Sequence, residues 1–363
     1  MSSIDPRARL AELCAIPSVS GEEGEAADWV QNLCGDLGLE TQRLGDSVVV
    51  RAGRKQGPRL LLNSHLDVVP AGEGWRADPF DARWRDGRLV ARGANDAKAS
   101  VIAMLSALAE LKDEVMDGQL LLALTAQEET SNAGMDAVIA ELGLPDGAVT
   151  GEPTGLEVVR AQSGLAVLVA EWAGKSCHAA HVATVEHESA LRAAVTALAA
   201  QPEFWILPGE HPELGKSTLA PTVLRSGTRH NVVPDRAELV CDGRLAPPWD
   251  GEACRAFLEE RLPGAKVTVR SDRLRAVETT AEHALVTLAV ELAGKSRAIG
   301  SRTLSDMALL AGVPAVKCGP GRTERSHTPN EWIEESELLE ACRFYSKFAP
   351  RALAALRSLE VNA

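Results

Sequence analysis

The stretch LLLNSHLDVVP, residues 60–70, decides the fold. Gly57-Pro58 marks a turn just before it. The apolar run that follows is too short for a helix, so Leu60–Leu66 reads as a buried strand. At its end stand His65 and Asp67, two residues apart and therefore on one face of an extended chain. In QLLLALTAQEET, residues 119–130, a strand at Gln119–Thr125 runs into Glu128 and Glu129. In AVTGEPT, residues 148–154, the short strand Ala148–Val149 precedes Glu152.

Apolar residues at three- and four-residue spacing predict helices over Arg7–Cys14, Glu22–Leu37, Ser100–Leu111 and Met135–Leu142. Val48–Ala52 adds another strand. This alternation predicts an α/β core: a mixed, mostly parallel sheet flanked by helices. The texture changes near residue 160. Ala166–Trp172 and Ala237–Leu245 read as strands, Ser189–Ala200 and Glu252–Glu260 as helices, and 201–234 as loop with short strands. From about residue 281 the first texture returns, with helices at Ala284–Ala293, Ser305–Ala311 and Glu335–Leu356 and a strand at Ala315–Cys318. The expected organisation is one discontinuous domain, 1–162 and 277–363, interrupted by an α+β insertion at 163–276.

Composition narrows the function classes. The 363 residues are 45% hydrophobic and 25% charged, which excludes disorder for most of the chain. With 38 Lys and Arg against 51 Asp and Glu, the formal net charge is −13, a field that repels nucleic acid and anionic membranes. Seven widely spaced cysteines without a CxxC pair argue against a thiolate zinc or redox site and fit buried thiols in a reducing compartment. MSSIDPRARLAEL lacks the basic and apolar regions of a signal peptide, and apolar runs such as Leu120–Leu124 fall far short of the roughly 18 residues of a membrane span. A cytoplasmic protein is expected.

Five polar features sit at strand ends or in adjoining loops, and each alone has a plainer reading. His65 with Asp67 could be a surface pair in a turn. Asp96, in GANDAK before the 100–111 helix, could be an N-terminal cap. Glu128-Glu129 could be a solvated loop, Glu152 a turn acid before Pro153, and His327, in SHTPNE, a solvated loop histidine. Together, His65, Asp96, Glu129, Glu152 and His327 are all nitrogen or oxygen donors. Two histidines, two terminal carboxylates and one bridging carboxylate suit a pair of zinc ions, leaving Glu128 as a base. Ligand sites in open α/β sheets lie outside the carboxyl ends of the strands.

The motifs SHLDVVP (64–70), WRADPF (75–80), DGRLVARGANDAK (86–98), QEET (127–130), TGEPTGL (150–156), HNVVPDRAEL (230–239) and SHTPNEWI (326–333) together resemble the di-zinc aminoacylase/carboxypeptidase family. That family includes acetylornithine deacetylase, succinyl-diaminopimelate desuccinylase and glutamate-releasing carboxypeptidases. The resemblance implies two Zn²⁺ per subunit, with Co²⁺ or Mn²⁺ as substitutes. It places His65 and Glu152 on one ion and Glu129 and His327 on the other, with Asp96 between them. It makes Asp67 the residue that orients His65, and Glu128 the general acid/base. It further implies that His178 reaches a partner subunit's site and that Arg244, Asn231 and Gly319 lie near a substrate carboxylate. The insertion becomes a dimerisation or lid domain and the protein a homodimer. The implied reaction is hydrolysis of an N-acyl-amino acid, with spellings closest to the acetylornithine deacetylase branch; the desuccinylase and a carboxypeptidase are the alternatives. Ala99, Val182 and the Ser226-Gly227 pair depart from the usual pattern, and none is a ligand position. An inactive relative that only senses acyl-amino acids would have lost a ligand or the base; all six residues are present.

Overall fold

The computed structural model describes residues 4–114 and 116–361. By its contacts the chain divides into two units, Met1–Ala161 with Glu278–Gly300 and Ser305–Ala363, and Gln162–Val277 with Ser301–Leu304.

The first unit is built on the strand Arg59–His65. It pairs in parallel with Gln119–Thr125 on one side and Gly147–Thr150 on the other, and Ala315–Lys317 continues the parallel run. Antiparallel strands extend both sides: Ser47–Gly53 and Glu40–Leu44 beyond Gln119–Thr125, and Val159–Gln162 beyond Ala315–Lys317. The sheet is therefore mixed, with its parallel part in the middle. Leu60 and Leu62 join Leu120, Leu122 and Leu124 in one hydrophobic core, with Ile102 and Leu105 of helix Lys98–Leu111 and Phe344 and Phe348 of helix Glu335–Val361. Leu61, Leu121 and Ala123 alternate to the opposite face and are buried as well. Burial on both faces is why these strands read as continuous apolar runs.

A small three-stranded sheet joins distant parts of this unit. Trp332–Glu334 pairs with Arg88–Val90, which pairs with Trp84–Arg85. It brings the segment after His327 beside the segment before Asp96.

The second unit is α+β. Its five strands run in the order Trp205–Ile206, Thr218–Ser226, Arg236–Leu245, Gly164–Ala173, Lys266–Leu274, all antiparallel. Trp172, Leu239, Cys241 and Leu258 centre its core. Helices Ala190–Ala199 and Gly251–Arg261 contribute Ala194 and Phe257 to it.

Two segments differ from the sequence expectation. Ser305–Ala311 is not an α-helix; only a 3₁₀ turn, Asp306–Leu309, forms there. The Asp306 side chain is pulled inward by three hydrogen bonds, which pins the turn. Within 201–234, Thr218–Ser226 is a nine-residue strand. Pro221 is accommodated by a register shift between Pro221 and Val223, the kind of irregularity at which a strand tolerates proline.

Leu62 is fully buried in the central strand. Leu62→Ala should cost about 3 kcal/mol through lost burial and the cavity left behind. The measurement is urea unfolding of the metal-free protein, with a lower midpoint and an unchanged slope.

Candidate metal centre

The parallel strands end side by side. His65 is opposite Thr125, Asn63 opposite Thr150, and Thr150 opposite Lys317. Asp67, Glu128, Glu129, Glu152 and Gly319 all lie within the few residues that follow these ends. Asp96 arrives from another direction, just ahead of helix Lys98–Leu111. It does not cap that helix, whose N-cap is Ala97 with no side-chain cap bond. His327 follows the 3₁₀ turn Thr323–Arg325 and has φ of 61°.

The carboxylate of Asp96 faces two histidines. Its Oδ1 lies 3.3 Å from His65 Nε2 and its Oδ2 3.6 Å from His327 Nε2. His327 Nε2 is also 2.9 Å from Glu129 Oε1. Donor atoms of His65, Asp96 and Glu129 lie within 4.8 Å of one another, as do those of His65, Glu128 and Glu152. Glu152 Oε1 is buried with no hydrogen-bond partner. His65 and Asp67 are buried, whereas the His327 side chain is 50% exposed and forms the open side of the cluster.

Electrostatics are dominated by crowded acids. Burial, then the Glu152 charge, pushes Glu128 well above the usual carboxylate range. Burial pushes Glu152 up to about 8, with Asp96 and Glu129 adding to the rise and His65 and Lys317 opposing it. Burial alone would lower His65, but its contacts with Asp67 and Asp96 win and hold it well above the ordinary imidazole value. Burial alone would raise Asp96, but its contacts with His65, Ser326 and His327 together lower it. Without a cation this cluster must carry extra protons. A buried carboxylate oxygen lacking a partner, two imidazoles and several carboxylates, with no sulfur, fit divalent ions that take nitrogen and oxygen donors.

The surroundings hold these groups in place. Asp67 Oδ1 accepts the backbone N–H of Glu128 at 3.0 Å, and its Oδ2 accepts that of Glu129 at 3.1 Å and the Ser20 hydroxyl at 2.7 Å. His65 Nδ1 meets the Asp67 carbonyl oxygen at 2.9 Å and its carboxylate only at 3.5 Å. Asp67 therefore fixes the Glu128-Glu129 loop as much as the imidazole. Glu331 Oε1 accepts the N–H groups of Asn95 and Asp96 at 2.8 and 2.9 Å, while its Oε2 pairs with buried Arg92 at 2.6 Å. Asp306 accepts from Thr125 at 2.7 Å, Asn132 at 3.1 Å and Asn63 at 3.2 Å, and Asn132 also donates to the Glu128 carbonyl at 3.2 Å. Nothing in the sequence alone sets Glu331, Arg92 or Asp306 apart as supports of the centre, beyond a charged residue inside an otherwise apolar or small-residue segment, as with Arg92 between Ala91 and Gly93.

Gly319 packs against Glu152. A Cβ there would meet the Glu152 carbonyl oxygen at 2.6 Å and Ser100 Oγ at 2.7 Å. The other expected site residues lie on the second unit. His178 is exposed; its Nδ1 accepts from Ala180 N–H at 3.1 Å, and its Nε2 is 3.5 Å from Asn231 Nδ2. Arg244 is on strand Arg236–Leu245, with its Nε 2.8 Å from Asp242.

The model of the family described as "Peptidase family M20/M25/M40" matches residues 61–351. The chain is 25% identical to an acetylornithine deacetylase of Proteus mirabilis, over 89% of this chain and 90% of that one. It is 36% identical to a succinyl-diaminopimelate desuccinylase of Cereibacter sphaeroides, over 42% and 43%. Among solved structures, the YXEP protein of Bacillus subtilis, described as a dinuclear metal binding peptidase from the M20 family, superposes with a TM-score of 0.71. It is 19% identical and covers 96% of this chain and 99% of that one, a likeness of fold.

Cation binding should release protons. Glu152, at about 8, is mostly protonated at pH 7 and mostly ionised at pH 9, and only the ionised form ligates. Mn²⁺ titration by calorimetry, in buffers of different ionisation enthalpy, should show more proton release at pH 7 than at pH 9. Equal release would contradict the assignment.

Proposed function

The chain belongs to the peptidase family M20/M25/M40, and on that premise we propose that it removes the acyl group from an N-acyl-amino acid, N-acetylornithine first among them. It is a metal-dependent hydrolase acting on amide bonds. The observation that carries the reading is Asp96, whose two oxygens each address a different histidine. The likeness to the acetylornithine deacetylase runs along most of both chains, whereas that to the desuccinylase is higher but covers less than half, which favours the deacetylase. The corresponding place is arginine biosynthesis in the cytoplasm. Among the described residues no helix is long and apolar enough to cross a membrane.

In this reading two ions, zinc by preference and cobalt or manganese as substitutes, would be held by His65 with Glu152 and by Glu129 with His327, with Asp96 as a ligand available to both. Bound there, they supply Lewis acidity toward the acyl carbonyl and lower the pKa of water. Glu128 takes the proton from the attacking water and delivers it to the departing nitrogen. Its burial, which raises its affinity for protons, suits both transfers. Asp67 and Asn132 hold its backbone so that the carboxylate stays aimed.

His178 is assigned to the developing oxyanion. Because its Nδ1 accepts a hydrogen bond, the neutral ring carries its proton on Nε2, which is thus a donor. Arg244 and Asn231 are assigned to the free α-carboxylate of the substrate. The Arg244 Nε edge is engaged by Asp242, which fixes the direction of the guanidinium. Gly319 supports this substrate end by allowing backbone to lie close against Glu152. We assign residues 1–162 and 277–363 to catalysis and 163–276 to dimerisation and closure. Exposed Leu191 and Val195 on helix Ala190–Ala199, with Phe204 just before the edge strand Trp205–Ile206 and Ile206 on it, support a homodimer in which His178 serves the partner subunit's centre.

Turnover of N-acetylornithine, N-succinyl-diaminopimelate and a glutamate-terminated dipeptide should be compared side by side. Acetylornithine should be fastest, with activity lost on chelation and restored by Zn²⁺ or Co²⁺. Hydrolysis that survives complete chelation would overturn the mechanism. Glu128→Ala should lower kcat by at least about a hundredfold with little change in KM, as expected for loss of a proton carrier.

A further inference from the structure

Glu23 is fully buried, yet it does no visible work for its own helix. It is the N-cap of helix Gly24–Asp36, and its side chain makes no cap hydrogen bond there. Instead its Oε1 accepts two backbone N–H groups, from Gly21 at 2.8 Å and from Gln127 at 3.0 Å. Its Oε2 is buried with no partner. A carboxylate that leaves one oxygen desolvated and unpaired is a poor device for stability alone.

Gln127 explains the arrangement. It has φ of 58°, a left-handed conformation that costs energy for a residue with a Cβ. It stands directly before Glu128 and Glu129, so its conformation sets the direction in which both side chains leave the strand end. Three consecutive N–H groups are gripped by carboxylates: Gln127 by Glu23, and Glu128 and Glu129 by Asp67. Asp67 is in turn held by the Ser20 hydroxyl. The segment that supplies Ser20 and Glu23 is stitched along residues 66–68. Ser18 Oγ donates to the Leu66 carbonyl at 2.6 Å, Val68 N–H to the Ser18 carbonyl at 2.9 Å, and Ser20 N–H to the Val68 carbonyl at 3.2 Å. A buried cation secures the chain just ahead of that segment, because Lys98 donates to the carbonyls of Leu13 and Ile16 at 3.1 and 2.8 Å. All of these anchors on the N-terminal side precede residue 61, where the family match begins.

We infer that Glu23 is a positioning residue for the reaction, holding Gln127 left-handed and so aiming Glu128 and Glu129 from behind. This rests on the proposed roles of Glu128 as proton carrier and Glu129 as ligand. Displacements of about an ångström in such groups cost on the order of a hundredfold in rate, so the strap is part of the machinery and not mere packing.

The test compares Glu23→Leu, Glu23→Gln and Glu23→Asp in the full chain, by two readouts. Hydrogen exchange of the metal-free protein follows the peptide around residues 126–132 against the central strand 59–65. Steady-state kinetics follow the metal-loaded enzyme. Glu23→Leu should speed exchange in the loop roughly tenfold or more with the strand unchanged, and lower kcat by a similar factor while KM stays within about twofold. Glu23→Gln keeps an acceptor oxygen for Gln127 and should restore both to within about threefold. Unchanged loop exchange in Glu23→Leu overturns the inference. So does faster exchange through loop and strand alike, which marks a residue of general stability. If Glu23→Leu does not fold, Glu23→Asp, one methylene short of Gln127, carries the same comparison. Glu128→Ala run in parallel separates the two readings: wild-type rates there sink the proton-carrier role, while the exchange result still decides the strap.

Discussion

Repulsion among buried carboxylates at one edge of a parallel sheet is the constraint to which the rest of the first unit answers. Asp67, Asp96, Glu128, Glu129 and Glu152 converge where four strands end. Such a crowd is tolerable only if each charge meets a hydrogen-bond donor, a fixed cation, a proton or a metal ion. The protein supplies the first two itself. Asp67 receives backbone N–H groups and a hydroxyl, and Lys317 is buried beside Glu152 and Glu128. Divalent ions complete the balance, and the same ions are what the chemistry requires.

The supports around the cluster share a logic. Glu331 does not point at the centre; it holds the backbone of Asn95 and Asp96 while Arg92 neutralises it. Asp306 likewise acts through Asn132 on the Glu128 carbonyl. In both cases a buried charge fixes a main-chain direction, and the reactive side chain inherits it. Ligand geometry is set by groups that need not touch a ligand.

Much of the fold and most of the candidate centre were legible in the chain because both are local. Apolar runs of strand length ending in His65, Glu128-Glu129 and Glu152 announce the parallel sheet and the polar edge together. What escaped depends on tertiary context. Glu40–Leu44 carries Glu, Thr, Gln and Arg because it is a partly exposed edge strand, so hydrophobicity gave no sign of it. Lys266–Leu274 hides its alternation among charged residues. Asp306 turned a helical pattern into a single 3₁₀ turn by burying its side chain in a network with Thr125 and Asn63. Glu23 carries no signature at all, since an acid at a helix start is ordinary until its partner, Gln127, is seen.

The small sheet formed by Trp84–Arg85, Arg88–Val90 and Trp332–Glu334 has a bearing on the order in which the protein matures. During synthesis, His65, Asp96, Glu128, Glu129 and Glu152 all emerge well before His327 and Glu331. Until Trp332–Glu334 docks, the Asn95 and Asp96 amides lack their acceptor and the open side of the cluster lacks its imidazole. Both groups of close donor atoms, His65 with Glu128 and Glu152 and His65 with Asp96 and Glu129, thus precede the closing segment in the chain, and what that segment adds is the last imidazole and the acceptor that fixes the Asp96 backbone.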